Sequence, residues 1–410
     1  MMRMVLSPPQ RAAFALALAC SRSPYRDGSA EALERTARDV TDWQMVLRVI
    51  RRHRIVGLAH HALSRSPAAV PDFVRQQLLV RAGAVARTNL MLTSEAIRLD
   101  EAFRDAGIEV GFLKGPALSM QLFGDVGRRH SRDLDLLVDL PDVAAAVALL
   151  ERAGYRSAGN FDADSIAGWI PLLNQWEFRH DRNGSLIELH WRLCPNESLA
   201  DPLAAAATWS RVDLGGGRTV RALTGDSLAG YLCLHGSLHA WSRLKWLADI
   251  DAAIEGDAGA PQRLFALAGQ VGLERSAGQA LWLAAELLDM PLDPGTRRML
   301  TQDPAICRLG KVALDAMTAG GGEIELENTA LGMTRVRLSH FSLGRGWRHW
   351  RMQARTLLAS SDDLKQVRLP QWLGFIYPLV RPVFWACRRL AGFAIARNRL
   401  APRHHGRPQE

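Results

Sequence analysis

The segment RDLDLLVDL, Arg132 to Leu140, sets two aspartates one residue apart among aliphatic side chains. In a strand, alternate side chains face the same way, so Asp133 and Asp135 project together while Leu134 and Leu136 turn to the core. Two carboxylates held that close repel unless a cation lies between them. Their hard oxygens favour Mg2+ or Mn2+, which would also bridge the oxygens of a triphosphate. Upstream, LKGPAL places Lys114 and Gly115 between a strand and a helix start. Amides at a helix N-terminus favour phosphate, Gly115 allows close backbone approach, and Lys114 adds positive charge for a triphosphate or a departing pyrophosphate. Downstream, Glu188 and His190 stand two apart in LIELHW and share one strand face.

The elements that must hold these groups follow from periodicity. From Pro9 to about Asp105 the pattern is helical, with Val74, Leu78, Val85, Leu92, Leu99 and Phe103 at helical spacing between Pro71 and Phe103. Ile108, Val110 and Phe112 then alternate as a short strand, and Pro116 takes a favoured first helical position. The spacing predicts a helix over 116–123, a strand over 134–138 and a helix over 142–153 ended by Gly154. Residues 176–180 and 186–192 flank an Asn-Gly turn as a hairpin, and Gly215 to Gly217 mark a second one. From Asp226 the pattern is helical again, through 228–241 and 244–254 to about Met317, with a break at Gly320 to Gly322.

The stretch LKGPALSMQLFGDVGRRHSRDLDLLV resembles the opening of the uncharacterised nucleotidyltransferase family within the DNA polymerase beta superfamily, over a core of roughly residues 100 to 250. The resemblance implies an α+β fold, a polymerase-beta-like mixed sheet with helices, flanked by helical N- and C-terminal regions. The domains expected are a helical region over 1–99, a nucleotidyltransferase core over 100–225, a helical domain completing the cleft over 226–330, and a helical extension over 331–410. It also implies that Asp133, Asp135 and Glu188 are the catalytic carboxylates and hold the metal, with Glu188 acting on the attacking hydroxyl. Lys114, Gly115, Arg129 and His190 are the expected nucleotide and phosphate contacts; Arg129 matches an arginine of the family pattern and could also steady the aspartates. His235 and His239, four apart, and Lys245 and Asp249, four apart, resemble the family's helical segment that faces the nucleotide or acceptor. HGSLH lacks the glutamate of an H-E-x-x-H zinc site. One departure is that the superfamily's glycine-serine pair reads Gly115-Pro116 here, which removes a serine contact to phosphate.

The expected reaction is transfer of a nucleoside monophosphate from a triphosphate to an acceptor, with pyrophosphate release. The acceptor stays open among a protein side chain, an antibiotic-like small molecule, a nucleic-acid end, and a peptide or polysaccharide intermediate. Two other readings compete: a binding or scaffold protein that keeps the fold without turnover, favoured by the missing serine, and a transferase using a sugar nucleotide. Nucleic-acid binding is disfavoured because basic residues are not interleaved with aromatics near the carboxylates.

Composition narrows the class. With 48% hydrophobic residues the 410-residue chain can fill ordinary cores, and no run reaches the 18 to 20 apolar residues of a spanning helix because Arg381 interrupts the best one. The apolar stretch from Ala12 to Cys20 is too short and wrongly flanked for a secretory signal. Five scattered cysteines offer neither a metal pair nor a disulfide framework, so a reducing cytoplasm is the expected setting. Net charge is +9, and the tail from Arg381 carries seven arginines against Glu410 alone. Two readings stand for that tail and the aromatic run from Trp372 to Trp385: contact with a partner or the inner membrane surface, or a final helix packed on the protein with a disordered basic end.

Overall fold

The computed structural model describes residues 6–357, apart from 24–27, 67, 160, 162, 258, 327, 328, 330 and 331. The aromatic run from Trp372 and the basic tail lie outside the described residues. Five helices come first: α1 (Pro8–Ala19), α2 (Ser29–Arg38), α3 (Trp43–Arg52), α4 (Val56–Arg65) and α5 (Asp72–Asp105). Their starts are chemically marked. The Ser7 amide donates to Gln10 Oε1 at 3.0 Å ahead of α1, and the Asp42 carboxylate caps α3 by accepting from the Met45 amide at 2.9 Å.

α5 runs for 34 residues without a break. Its first half, with Val74 and Leu78, packs into a core of helices, and its second half, with Leu92, Leu99 and Phe103, packs under a sheet. The boundary expected between residues 99 and 100 therefore falls inside one continuous helix.

The sheet is built by β1 (Val110–Phe112), β2 (Asp133–Val138), β3 (Tyr155–Ser157), β4 (Gln175–His180), β5 (Leu186–His190), β6 (Trp209–Asp213) and β7 (Thr219–Leu223). Their order across the sheet is β3-β4-β5-β2-β1-β7-β6. β2 runs parallel to β5 and antiparallel to β1, while β1 runs parallel to β7, so the sheet is mixed. The hairpin around Gly215 is β6–β7, and it joins the main sheet through β7, a long-range pairing that its local sequence does not announce. β2 opens at Asp133, one residue before the expected start, and the short edge strand β3 was not expected at all. Between strands lie α6 (Pro116–Phe123), α7 (Val143–Arg152), α8 (Ala163–Trp169) and α9 (Glu197–Ala205); a 3-10 turn over Leu140–Asp142 takes up the start predicted for α7.

Among the described residues eight more helices follow: α10 (Gly225–Leu238), α11 (Leu244–Ala253), α12 (Ala260–Gln270), α13 (Glu274–Leu288), α14 (Pro294–Gln302), α15 (Pro304–Met317), α16 (Gly332–Ser339) and α17 (Gly346–Thr356). Gly320 and Gly321, with φ of 55° and 77°, make the break expected after Met317. Among the described residues no helix is long and apolar enough to cross a membrane.

His53, fully buried after α3, ties the N-terminal helices to α11. Its Nδ1 accepts from the Leu244 amide at 3.1 Å, which requires a neutral ring, and Arg52 Nη1 lies 3.3 Å away. Burial and the neighbouring Arg52 charge hold its pKa well below the usual histidine value. The unfolded chain thus takes up a proton that the folded one refuses. Stability from this group is complete above about pH 6.5 and falls by roughly 1.4 kcal/mol for each unit below it. Urea midpoints should drop from pH 6.5 to 5, and less steeply in His53→Asn; equal slopes in the two proteins would remove His53 from the account.

Candidate functional site

Strands β2 and β5 set the carboxylates side by side. Their register pairs Asp135 with Glu188 and Asp133 with Leu186, and Glu188 and His190 both face the same volume. Ligand atoms of Asp135, Glu188 and His190 all lie within 4.8 Å of one another. His190 Nε2 is 3.5 Å from Asp135 Oδ1 and 3.6 Å from Glu188 Oε2, distances of ion pairing and too long for hydrogen bonds. Asp133, expected as a metal ligand, is not part of this tight group, and the imidazole of His190, expected as a nucleotide contact, is.

The site fits a cation on its own chemistry. Both ring nitrogens of His190 and Oδ1 of Asp135 are buried without a hydrogen-bond partner among the described residues. Lys114 Nζ stands 2.8 Å from that Asp135 oxygen, off the line of a hydrogen bond but close enough for a buried ion pair. Burial opposes the Asp135 charge, yet Lys114 and then His190 outweigh it and hold the carboxyl well below the usual range. Asp133 has the opposite balance: burial and the Asp135 charge push its pKa up. Lys114 also reaches His235 Nδ1 at 3.4 Å, and burial followed by the Lys114 charge keeps His235 neutral.

These groups open into a cleft of about 580 Å³ whose walls come from residues between Arg54 and Thr356. α6 contributes its N-terminus. Gly115 there has φ 73° and ψ −146°, a conformation open essentially to glycine alone. A Cβ would meet Leu134 Cδ2 at 3.4 Å and Asp133 O at 3.5 Å, so backbone geometry, more than space, demands the glycine. Gly115→Ala should cost about 1–3 kcal/mol in urea denaturation; an unchanged midpoint would show that the turn can relax.

Two residues that sequence reasoning missed fix the loop before β2. Asn89 of α5, fully buried, donates Nδ2 to the Arg129 carbonyl at 2.7 Å and to the Val126 carbonyl, and accepts from the Ser131 amide at 3.3 Å. Ser119 Oγ donates to the Asp125 carbonyl at 2.6 Å and accepts from the Arg129 amide at 3.3 Å. Arg129 was expected on phosphate or on the aspartates, and Asp249 on substrate. The structure turns them on each other: Nε and Nη2 of Arg129 meet Oδ1 and Oδ2 of Asp249 at 2.8 and 2.9 Å, with both side chains buried. The fork locks α11 to the loop entering β2.

On the far wall His239 stacks on Trp246 with ring centroids 4.9 Å apart and packs against His235 at 4.6 Å. Lys245, nearly buried, donates to the His130 carbonyl at 3.3 Å. Met333, Val336 and His340 from the segment over 332–340, with Gln353 and Thr356 of α17, also line the cleft.

Residues 39–289, more than half of the chain, match the family model described as uncharacterised nucleotidyltransferase. The chain belongs to that family. No curated protein matches it. The α+β fold agrees with a nucleotidyltransferase, and the match takes in Lys114, Arg129, Asp133, Asp135, Glu188, His190, His235, His239, Lys245 and Asp249. Met333, Val336, His340, Gln353 and Thr356, which line the same nucleotidyltransferase-family cleft, lie beyond the matched residues.

Proposed function

We propose that the protein transfers a nucleoside monophosphate from a nucleoside triphosphate to an acceptor, releasing pyrophosphate, with a divalent ion bound at Asp135, Glu188 and His190. The buried Asp135-Glu188-His190 group beside Asp133, in a cleft roomy enough for a nucleotide, carries this reading. The carboxylates suit Mg2+ or Mn2+, and the imidazole nitrogen tilts the set toward Mn2+. Such an ion would neutralise charge on the transferring phosphoryl group.

The protein's own groups divide the remaining work. Lys114 supplies the positive charge beside Asp135, and is free to turn to the leaving pyrophosphate when that carboxylate gains another partner. Glu188, less buried than Asp135, is placed to receive a proton from the attacking hydroxyl. Asp133 orients the reacting groups from the same strand face. The mixed apolar and polar lining contributed by Met333, Val336, Gln353 and Thr356 is where an acceptor would rest, and a small molecule or peptide intermediate fits such a lining better than a nucleic-acid duplex.

The test is pyrophosphate release from each nucleoside triphosphate with Mn2+ and with Mg2+, read beside thermal stabilisation by triphosphates and by sugar nucleotides. Stabilisation by one triphosphate, with metal-dependent pyrophosphate release, would support the reading. Stabilisation by sugar nucleotides alone would replace it with a glycosyl-type transfer, and no response to either would favour a scaffold.

A further inference from the structure

The cleft holds more positive charge than its carboxylates use. Lys114 is paired with Asp135, Arg129 with Asp249, and Arg243 with Glu325 at 3.0 Å. Arg54, Arg132 and Lys245 line the same cleft, and among the described residues none has a carboxylate at ion-pair distance. A nearly buried ammonium without a counter-charge is costly, and burial with the neighbouring Arg129 and Arg54 charges draws the Lys245 pKa well below its usual value, so its charged form needs an anion beside it. Arg54 adds a second unfavourable feature: it sits between α3 and α4 with φ of 56°, in the left-handed region that arginine rarely adopts. Backbone of that kind collects where a side chain must be aimed at a ligand.

We propose that Arg54, Arg132 and Lys245, with the Ser131 hydroxyl, form the subsite for the β- and γ-phosphates of the donor. The Ser131 oxygen is buried, lines the cleft and has no hydrogen-bond partner among the described residues. It offers the hydroxyl that Pro116 cannot supply after Gly115. The placement follows from the loop entering β2: Lys245 Nζ meets the His130 carbonyl at 3.3 Å, next to Ser131 and Arg132, and Gly115 at the α6 N-terminus lies by the Asp133 carbonyl. Burial, then the neighbouring Arg243 and Arg132 charges, draw the Arg54 pKa down to about 10. Arginine's planar fork matches phosphate oxygens two at a time. This inference rests on the nucleotidyl-transfer reading for the identity of the anion, though not for its chemistry.

Inorganic tripolyphosphate separates the two. Titration calorimetry of the full chain would measure its affinity, and that of a metal–triphosphate complex, for wild type, Arg54→Asn and Lys245→Met. Asparagine tolerates the left-handed backbone, so Arg54→Asn should unfold at the wild-type temperature or higher while binding tripolyphosphate about tenfold more weakly or worse. A residue with only a structural role would lose stability and leave affinity alone. Wild type that ignores tripolyphosphate, or Arg54→Asn and Lys245→Met that both bind it unchanged, would overturn the subsite. Tripolyphosphate binding that depends on Arg54, with no nucleotide binding under any metal, would keep the subsite and defeat the donor reading.

Discussion

Asp133→Asn and Asp135→Asn should shift the stability of the metal-free protein in opposite directions, while each removes its response to metal and triphosphate. Asp135 is compensated: Lys114 lies 2.8 Å away and the carboxyl is held in its charged form. Asparagine would leave the Lys114 ammonium buried beside a neutral amide, and breaking a buried pair in this way costs on the order of 3 kcal/mol. Asp133 is uncompensated: no ion pair holds it among the described residues, and burial together with Asp135 disfavours its charge. Removing that charge relieves repulsion, so the metal-free variant should unfold at or above the wild-type urea midpoint. Both variants should lose turnover by on the order of 10³-fold, the usual scale for one group that stabilises transition-state charge. Opposite stability shifts with equal loss of metal-dependent nucleotide binding is the expected pattern. Normal binding of a metal–triphosphate complex by both variants would defeat the site assignment.

Breaking the fork between Arg129 and Asp249 should be the largest purely structural loss in the cleft. Both side chains are buried and bonded twice, so Asp249→Leu leaves a guanidinium with no partner and should cost about 3–5 kcal/mol. Arg129→Met alone should cost a similar amount by stranding the carboxylate. The double variant Arg129→Met/Asp249→Leu replaces the pair with apolar groups and should recover most of the loss, because desolvation of both charges disappears with them. Urea denaturation of the four proteins measures the coupling directly. Additive single losses in the double variant would mean that the two residues act separately. Catalysis need not recover with stability, since α11 also carries Lys245 and a methionine–leucine contact would not hold its angle as the fork does.

The parts of this site that the sequence reveals are those encoded within a few residues. The period-two pattern of RDLDLLV aims Asp133 and Asp135 correctly, and LKGPAL announces a strand, a turn glycine and a helix start because each feature is local. What pairs with what is not local. Asp135 faces Glu188 only through the parallel register of β2 and β5, and that register depends on everything between them. Arg129 and Asp249 were each assigned to substrate because their charges were visible and their mutual distance of 120 residues hid the fork. Asn89 carries no signal in sequence, being one amide among helical residues, and Arg54 gives none because a positive φ has no composition. β3 escaped because three residues, Tyr155 to Ser157, are too few to show alternation.

The unbroken α5 has a consequence for how the molecule could be divided. Asn89 holds the approach to β2, Glu95 accepts from the Tyr155 hydroxyl of edge strand β3, and Asp100 accepts from Arg211 Nη2 at 2.6 Å and from the Arg221 amide at 3.3 Å near the opposite edge. One rod thus gauges the sheet at three stations along its width. A fragment beginning at Asp100 would keep Asp133, Asp135 and Glu188 and lose two of the three stations. The sheet-bearing half and the helices before it therefore form one mechanical part, and recombination between relatives at that junction would deliver the carboxylates without their alignment.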